Sequence, residues 1–141
     1  MKATVYYLNL AVEPFYSMVN RQGWDGPIGK AYSDARYRGE YFKSAALGIL
    51  EKAAEIEAND AEEVWMKLQN GATSWSDAMD IKCTSAFPRS MDVGDIVVWE
   101  DGTVEKVAMI GFEALDSDEW MGMMKRAEET KELLEIARNV A

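Results

Sequence analysis

The chain has 141 residues, enough for one domain with a sizeable core, and 48% of them are apolar, which excludes a disordered chain. Its 15 Lys and Arg face 25 Asp and Glu, a formal charge of −10, so nonspecific duplex nucleic-acid binding is not expected, because phosphate contacts need clustered cations. No histidine occurs, which removes Ser-His-Asp and Cys-His catalysis and every His-containing zinc site.

The charge is uneven. Residues 1–50 hold 6 basic and 4 acidic groups, so residues 51–141 carry the remaining 9 and 21. An acidic body with a mildly basic front points to protein partners rather than to a particular chemistry. Cys83 is the only cysteine, so no internal disulfide forms and a reducing cytoplasm is the expected home. The first residues, with one Lys and no long apolar core, do not read as a signal peptide. No apolar run approaches the roughly 20 residues needed to span a bilayer, so no membrane partner is expected.

In chain order, residues 3–10 are β-branched and aromatic on both faces, which predicts a strand near the centre of a sheet. Pro14 ends it, and residues 20–29, with Gly23, Gly26, Pro27 and Gly29, read as a loop from which Trp24 plugs back onto the core. Residues 30–43 interleave Tyr32, Tyr37, Tyr41 and Phe42 with Arg36, Arg38 and Lys43. Aromatics mixed with cations can form a stacking platform for single-stranded nucleic acid, with Tyr37, Arg38 and Tyr41 as its candidate surface. The plainer reading is an amphipathic helix that turns Tyr37 and Tyr41, four residues apart, toward the core. Residues 44–50 look helical, and 52–58 alternate as a half-exposed strand does. Asn59 and Asp60 then supply a cap, with Glu62 and Glu63 in the first turn of a helix striped by Val64, Trp65 and Leu68 and closed by Asn70 and Gly71. Residues 72–87, with Trp75 and Cys83, read as an irregular connection.

The stretch 88–115 organises the rest. Ile96, Val97, Val98 and Trp99 make a strand, Asp101-Gly102 a two-residue turn, and residues 103–110 a return strand. The last element is a long helix over about 117–139, capped at 116–118. Trp120, Met123, Ala127, Thr130, Leu134, Ala137 and Ala141 follow a 3-4 spacing on it, either a face packed on the chain's own sheet or a seam for a homo-oligomer. The expected fold is therefore a single α+β domain over 1–141. It has a small antiparallel or mixed sheet with a β-hairpin at about 95–110, packed against helices on one face.

The run Arg89-Ser90-Met91-Asp92-Val93-Gly94-Asp95-Ile96-Val97-Val98 resembles a block found in phage and mobile-element proteins with a YodL-like domain. That block reads Arg-Ser-[Met/Thr]-Ser-Val-Gly-Asp-Val-[Ile/Val] and precedes a hairpin and a Gly-Phe/Trp pair, here Gly111-Phe112. Upstream, the family's tyrosine, Val-Ala strand, acidic helix, Asn and Trp are matched by Tyr41, Ala53-Ala54-Glu55-Ile56, Asp60 to Trp65, Gln69-Asn70 and Trp75. The resemblance covers residues 40–115, with Asp92 standing where Ser is usual and 44–52 longer than the usual spacing. It implies a phage, prophage or plasmid origin, and implies no activity.

Arg89, Ser90, Asp92, Gly94 and Asp95, with Asn70 and Trp75 nearby in the resemblance, form the one close polar corner at an element boundary. Arg89 and the Ser90 hydroxyl could hold a ligand carboxylate or phosphate. The favoured reading is structural: Asp95 accepts turn amides, and the Arg89 guanidinium pairs with Asp92 or Asp95 and braces the entry to the hairpin. The paired carboxylates Glu62-Glu63 and Glu128-Glu129 lack a metal-ligand partner, and Cys83 lacks a base, so no metal, cofactor or catalytic residue is expected. Three functions fit. One is a noncatalytic accessory protein that binds an unknown host or phage protein. Another is an acidic inhibitor that imitates DNA and occupies a host defence or transcription protein. The third is a module binding a small ligand or single-stranded nucleic acid through Tyr37, Arg38 and Arg89.

Overall fold

Strand β1, Lys2–Leu8, decides the architecture. Ala3, Val5 and Tyr7 point to one side, Tyr6 and Leu8 to the other, and both sides are covered. The computed structural model describes residues 1–140, and there β1 lies between β2, Leu50–Glu57, and β4, Ile96–Trp99. β3, Ile81–Cys83, extends the sheet beyond β2; β5, Val104–Val107, and β6, Phe112–Leu115, extend it beyond β4. The order is β3-β2-β1-β4-β5-β6 and every pairing is antiparallel. The expected pairing of the strands around Asp101-Gly102 is present, with Ile96 opposite Lys106 and Val98 opposite Val104. This register puts Trp99 opposite Thr103 and leaves three residues, Glu100 to Gly102, in the loop rather than the expected two.

Helices α1, Phe15–Gln22, and α2, Pro27–Arg38, follow β1; α3, Phe42–Leu47, precedes β2. Helix α4, Ala61–Lys67, follows β2, and α5, Ser117–Val140, ends the described chain. Local chemistry sets their ends. Asp60 accepts the amide of Glu63 at 2.8 Å, Asp116 accepts that of Glu119 at 2.9 Å, and Pro27 stands at the start of α2.

The two sheet faces carry separate cores. On one, Val5, Tyr7, Ala54, Ile56 and Val97 meet Val64 and Leu68 at α4, with Trp75 and Met91. On the other, Leu8, Leu50, Ile96 and Val104 meet Ile28, Ala31 and Ala35 of α2, together with Tyr41, Ile49 and Trp120. Each fully buried aliphatic side chain here contributes about 1.5–3 kcal/mol. Helices therefore cover both faces rather than the expected one, because β1 is apolar on both sides and α4 must seal the side that α2, α3 and α5 leave.

Four other expectations change. The 103–110 strand is two pieces: β5 stops at Val107, the Ala108 amide donates to Gly111 at 3.0 Å, and β6 returns. Met109 and Ile110, 76% and 94% exposed, form that turn, and their apolar character hid it. Residues 72–87 contain a 3-10 turn, Trp75–Asp77, and β3, whose three residues are too short to show a period. Most of the 20–29 loop belongs to α1 and α2. Trp24 is 59% exposed instead of plugging the core, because its indole lies against the Tyr32 ring of α2, with centres 5.8 Å apart. Of the C-terminal 3-4 face, Trp120 and Ala127 are buried on the chain's own body, Leu134 is exposed, and Ala141 lies outside the described residues.

Candidate functional site

The polar corner closes on itself. Arg89 lies where the chain, coming off β3, turns into β4, and its guanidinium reaches Asp95 with both terminal nitrogens, at 2.7 and 2.8 Å. The same two nitrogens donate to the carbonyls of Ser90 and Leu8, at 2.9 and 2.8 Å, and the guanidinium carbon sits 4.3 Å from the centre of the Tyr7 ring. Asp95 is fully buried and also accepts the amides of Asp92, at 2.7 Å, and Leu8, at 3.1 Å. Burial pulls the Arg89 guanidinium down, but Asp95 outweighs it and holds the group above its ordinary value. For Asp95, burial pushes the carboxyl up, against the pull of Arg89 and of the amides of Asp92 and Leu8.

The neighbours complete the knot. Ser90 Oγ accepts the Asn70 amide at 2.8 Å, Asn70 Nδ2 donates to the Pro88 carbonyl at 3.0 Å, and Asn70 Oδ1 accepts the Trp75 amide at 2.9 Å. The Trp75 indole N–H then donates to the Arg89 carbonyl at 2.6 Å. Gly94, whose carbonyl accepts the Tyr41 hydroxyl at 2.6 Å, ties α3's approach to the same turn. Arg89, Ser90, Asn70, Trp75, Gly94 and Asp95 are thus brought together with their polar groups engaged by one another. Such a corner braces β4 against β1 and α4, and leaves Arg89 little capacity for an external anion.

Asp92 leaves this set. Its carboxylate accepts Arg36 of α2 at 3.0 Å instead of pairing with Arg89, which already has Asp95. Partial burial pushes the Asp92 carboxyl up, yet the amide of Val93 and the guanidinium of Arg36 outweigh it and hold it below its ordinary value.

Arg36 opens onto a second surface. Tyr37 and Arg38 are exposed there, which corrects the plainer expectation that Tyr37 packs against the core. Tyr41 is not: it is 3% exposed, because Gly39, with φ of 72°, ends α2 and turns the chain before Tyr41, which packs edge-on against Trp120 at 5.5 Å. In its place stand Trp24, Tyr32 and Arg36. The Arg36 guanidinium accepts no role in the corner; it donates to the Tyr32 hydroxyl at 3.0 Å and lies 5.5 Å from the centre of the Tyr37 ring. Tyr32 and Arg36 are four residues apart on α2, a spacing legible in the sequence; Trp24 joined them only through the fold.

Cys83 is half-buried beside the Ser85 carbonyl, and no group of three metal-ligating residues converges among the described residues. No helix among them is long and apolar enough to cross a membrane. Compared with family models, with curated proteins and with solved structures, the chain matches none.

Proposed function

We propose that this chain is a noncatalytic accessory protein of a phage or mobile element that acts in the host cytoplasm by holding another protein. The mobile-element origin rests on the YodL-like run from Arg89 to Val98. The observation that carries the binding reading is the distal half of α5. A helix of 24 residues is about 36 Å long. Its first half packs on α3 and the sheet through Trp120, Met123, Met124 and Ala127, but from Glu128 to Asn139 nothing is buried. Leu133, Leu134 and Ile136 are there 66%, 48% and 59% exposed. Three large aliphatic groups on one projecting helix favour a covering partner, since water gains when such surface is buried.

Charge selects the kind of partner. Glu128, Glu129, Glu132 and Glu135 flank these residues against only Lys131 and Arg138, so the segment is net acidic. Two copies laid together would repel, whereas an apolar groove with a basic rim on a different protein complements it. The test compares proteins retained from a host lysate by the tagged parent and by a Leu133→Glu/Ile136→Glu double variant, with sizing of both. A basic protein retained by the parent and lost by the variant supports the reading. Identical retention by both, or a parent that runs as a dimer dispersed by the variant, overturns it.

A further inference from the structure

Trp24 stands on a connection clamped to α2. A Cβ placed on Gly29 would meet the Trp24 carbonyl oxygen at 2.5 Å and its Cα at 2.7 Å, so only glycine lets the two backbones lie this close. The indole, 59% exposed, is therefore presented on a fixed backbone rather than a loose loop. Its ring lies 5.8 Å from that of Tyr32, tilted by 46°. The next planar group is the Arg36 guanidinium, 6.0 Å from the Tyr32 ring and 5.5 Å from that of Tyr37, which is 64% exposed. Asp92 fixes Arg36 from behind at 3.0 Å. Indole, phenol, guanidinium and phenol thus follow one another along α2 with their order set before any ligand arrives. Neither open ring belongs to the buried core.

The charges around this ridge differ from those of the rest of the chain. Residues 15–43 hold Arg21, Lys30, Arg36, Arg38 and Lys43 against Asp25, Asp34 and Glu40, while residues 51–141 hold 9 cations and 21 acids. The side chains of Arg21, Lys30 and Arg38 engage no carboxylate or carbonyl among the described residues. Lys30 shares the outward side of α2 with Tyr37, two helical turns away. We propose that the Trp24–Tyr32–Arg36–Tyr37 ridge binds single-stranded nucleic acid, with bases stacked on Trp24 and Tyr37 and phosphates drawn by the cations beside them. Every base offers a π-face, so the binding is sequence-tolerant; a duplex, whose bases already stack on each other, offers the rings nothing. A proline-rich peptide also suits exposed aromatics, but brings no negative charge to the cations.

The site is separate from the α5 surface, so it stands or falls independently of the protein-binding reading. The test is the fluorescence anisotropy of labelled oligo(dT) titrated with the full chain at about 50 and about 200 mM salt. The expected result is binding at the lower salt that weakens at the higher, with matched duplex bound far less tightly. Trp24→Ala and Tyr37→Ala each weaken binding about tenfold or more, while Trp24→Phe, which keeps a ring, stays within a few-fold of the parent. Both alanine variants melt with the parent, because the side chains they remove are exposed. No anisotropy change at the lower salt overturns the proposal, as does duplex bound as tightly as oligo(dT), or alanine variants that bind like the parent. A proline-rich peptide that shifts the parent's fluorescence while oligo(dT) does not also overturns it, and reassigns the ridge to peptide.

Discussion

Arg89 and Asp95 meet fork to fork inside the protein, the two guanidinium nitrogens 2.7 and 2.8 Å from the two carboxylate oxygens. Because Arg89 also donates to the Leu8 carbonyl, one side chain couples the start of β4 to the end of β1. Lysine cannot make that fork. Arg89→Lys is expected to cost about 1–3 kcal/mol, through lost hydrogen bonds to buried acceptors. Asp95→Asn, which leaves the guanidinium without its countercharge, is expected to cost about 3–5 kcal/mol. Urea melts check both, as lower midpoints with an unchanged slope. An Arg89→Lys chain that melts like the parent yet loses a bound partner would make the corner a ligand site instead.

Gly94 and Gly102 both adopt positive φ, 93° and 91°, but in different surroundings. A Cβ at Gly94 would sit 3.0 Å from Leu8 Cδ1 and 3.1 Å from Arg36 Cα, while one at Gly102 would meet nothing within 4 Å. Gly102→Val therefore carries the backbone strain alone, about 1–3 kcal/mol. Gly94→Val adds a clash in a packed core and is expected to cost more than Gly102→Val by about 1–3 kcal/mol. Thermal melts of the two variants give the order, and equal losses would contradict it.

Tyr7 and Tyr41 set the alkaline limit. Burial pushes both hydroxyls above their ordinary value of 10.0, with the charge of Asp95 adding to each. A group with a raised folded pKa contributes stability that is complete below its unfolded pKa and is lost as pH rises through the folded one. Unfolding free energy should thus be insensitive to these two below pH 10.0 and fall steadily above it. Absorbance at the phenolate band should show two of the six tyrosines ionising only as the chain unfolds. All six titrating together in the folded protein would disprove the assignment.

The two halves of α5 should respond differently to truncation. Trp120 is 7% exposed and packs edge-on against Tyr6 and Tyr41, with ring centres at 6.2 and 5.5 Å. Trp120→Ala is expected to cost about 3–5 kcal/mol. Leu133→Ala, on the projecting half, should change stability by less than about 0.5 kcal/mol. A large loss at Leu133 would mean that this half of the helix is covered in solution.

Local chemistry was enough to determine several features of this protein from its residues alone. The β-branched and aromatic runs at β1 and β4, the alternation at β2, the Asp60 and Asp116 caps and the chain reversal at Asp101-Gly102 each depend on neighbours within a few positions. Arg89 and Asp95 are likewise only six residues apart, so their pairing was open to view. Tertiary structure decided the rest, because it turns on which distant surfaces compete for burial. Tyr37 and Tyr41 are equivalent by spacing, and only the αL turn at Gly39 buries one under Trp120 and leaves the other in water. Asp92 looked like a partner for Arg89 until α2 brought Arg36 to it from 56 residues away. Trp24 joined Tyr32 only when Gly29 let two backbones touch, and the apolar end of α5 stayed exposed because the packing of the helix on the rest of the chain ends near Ala127.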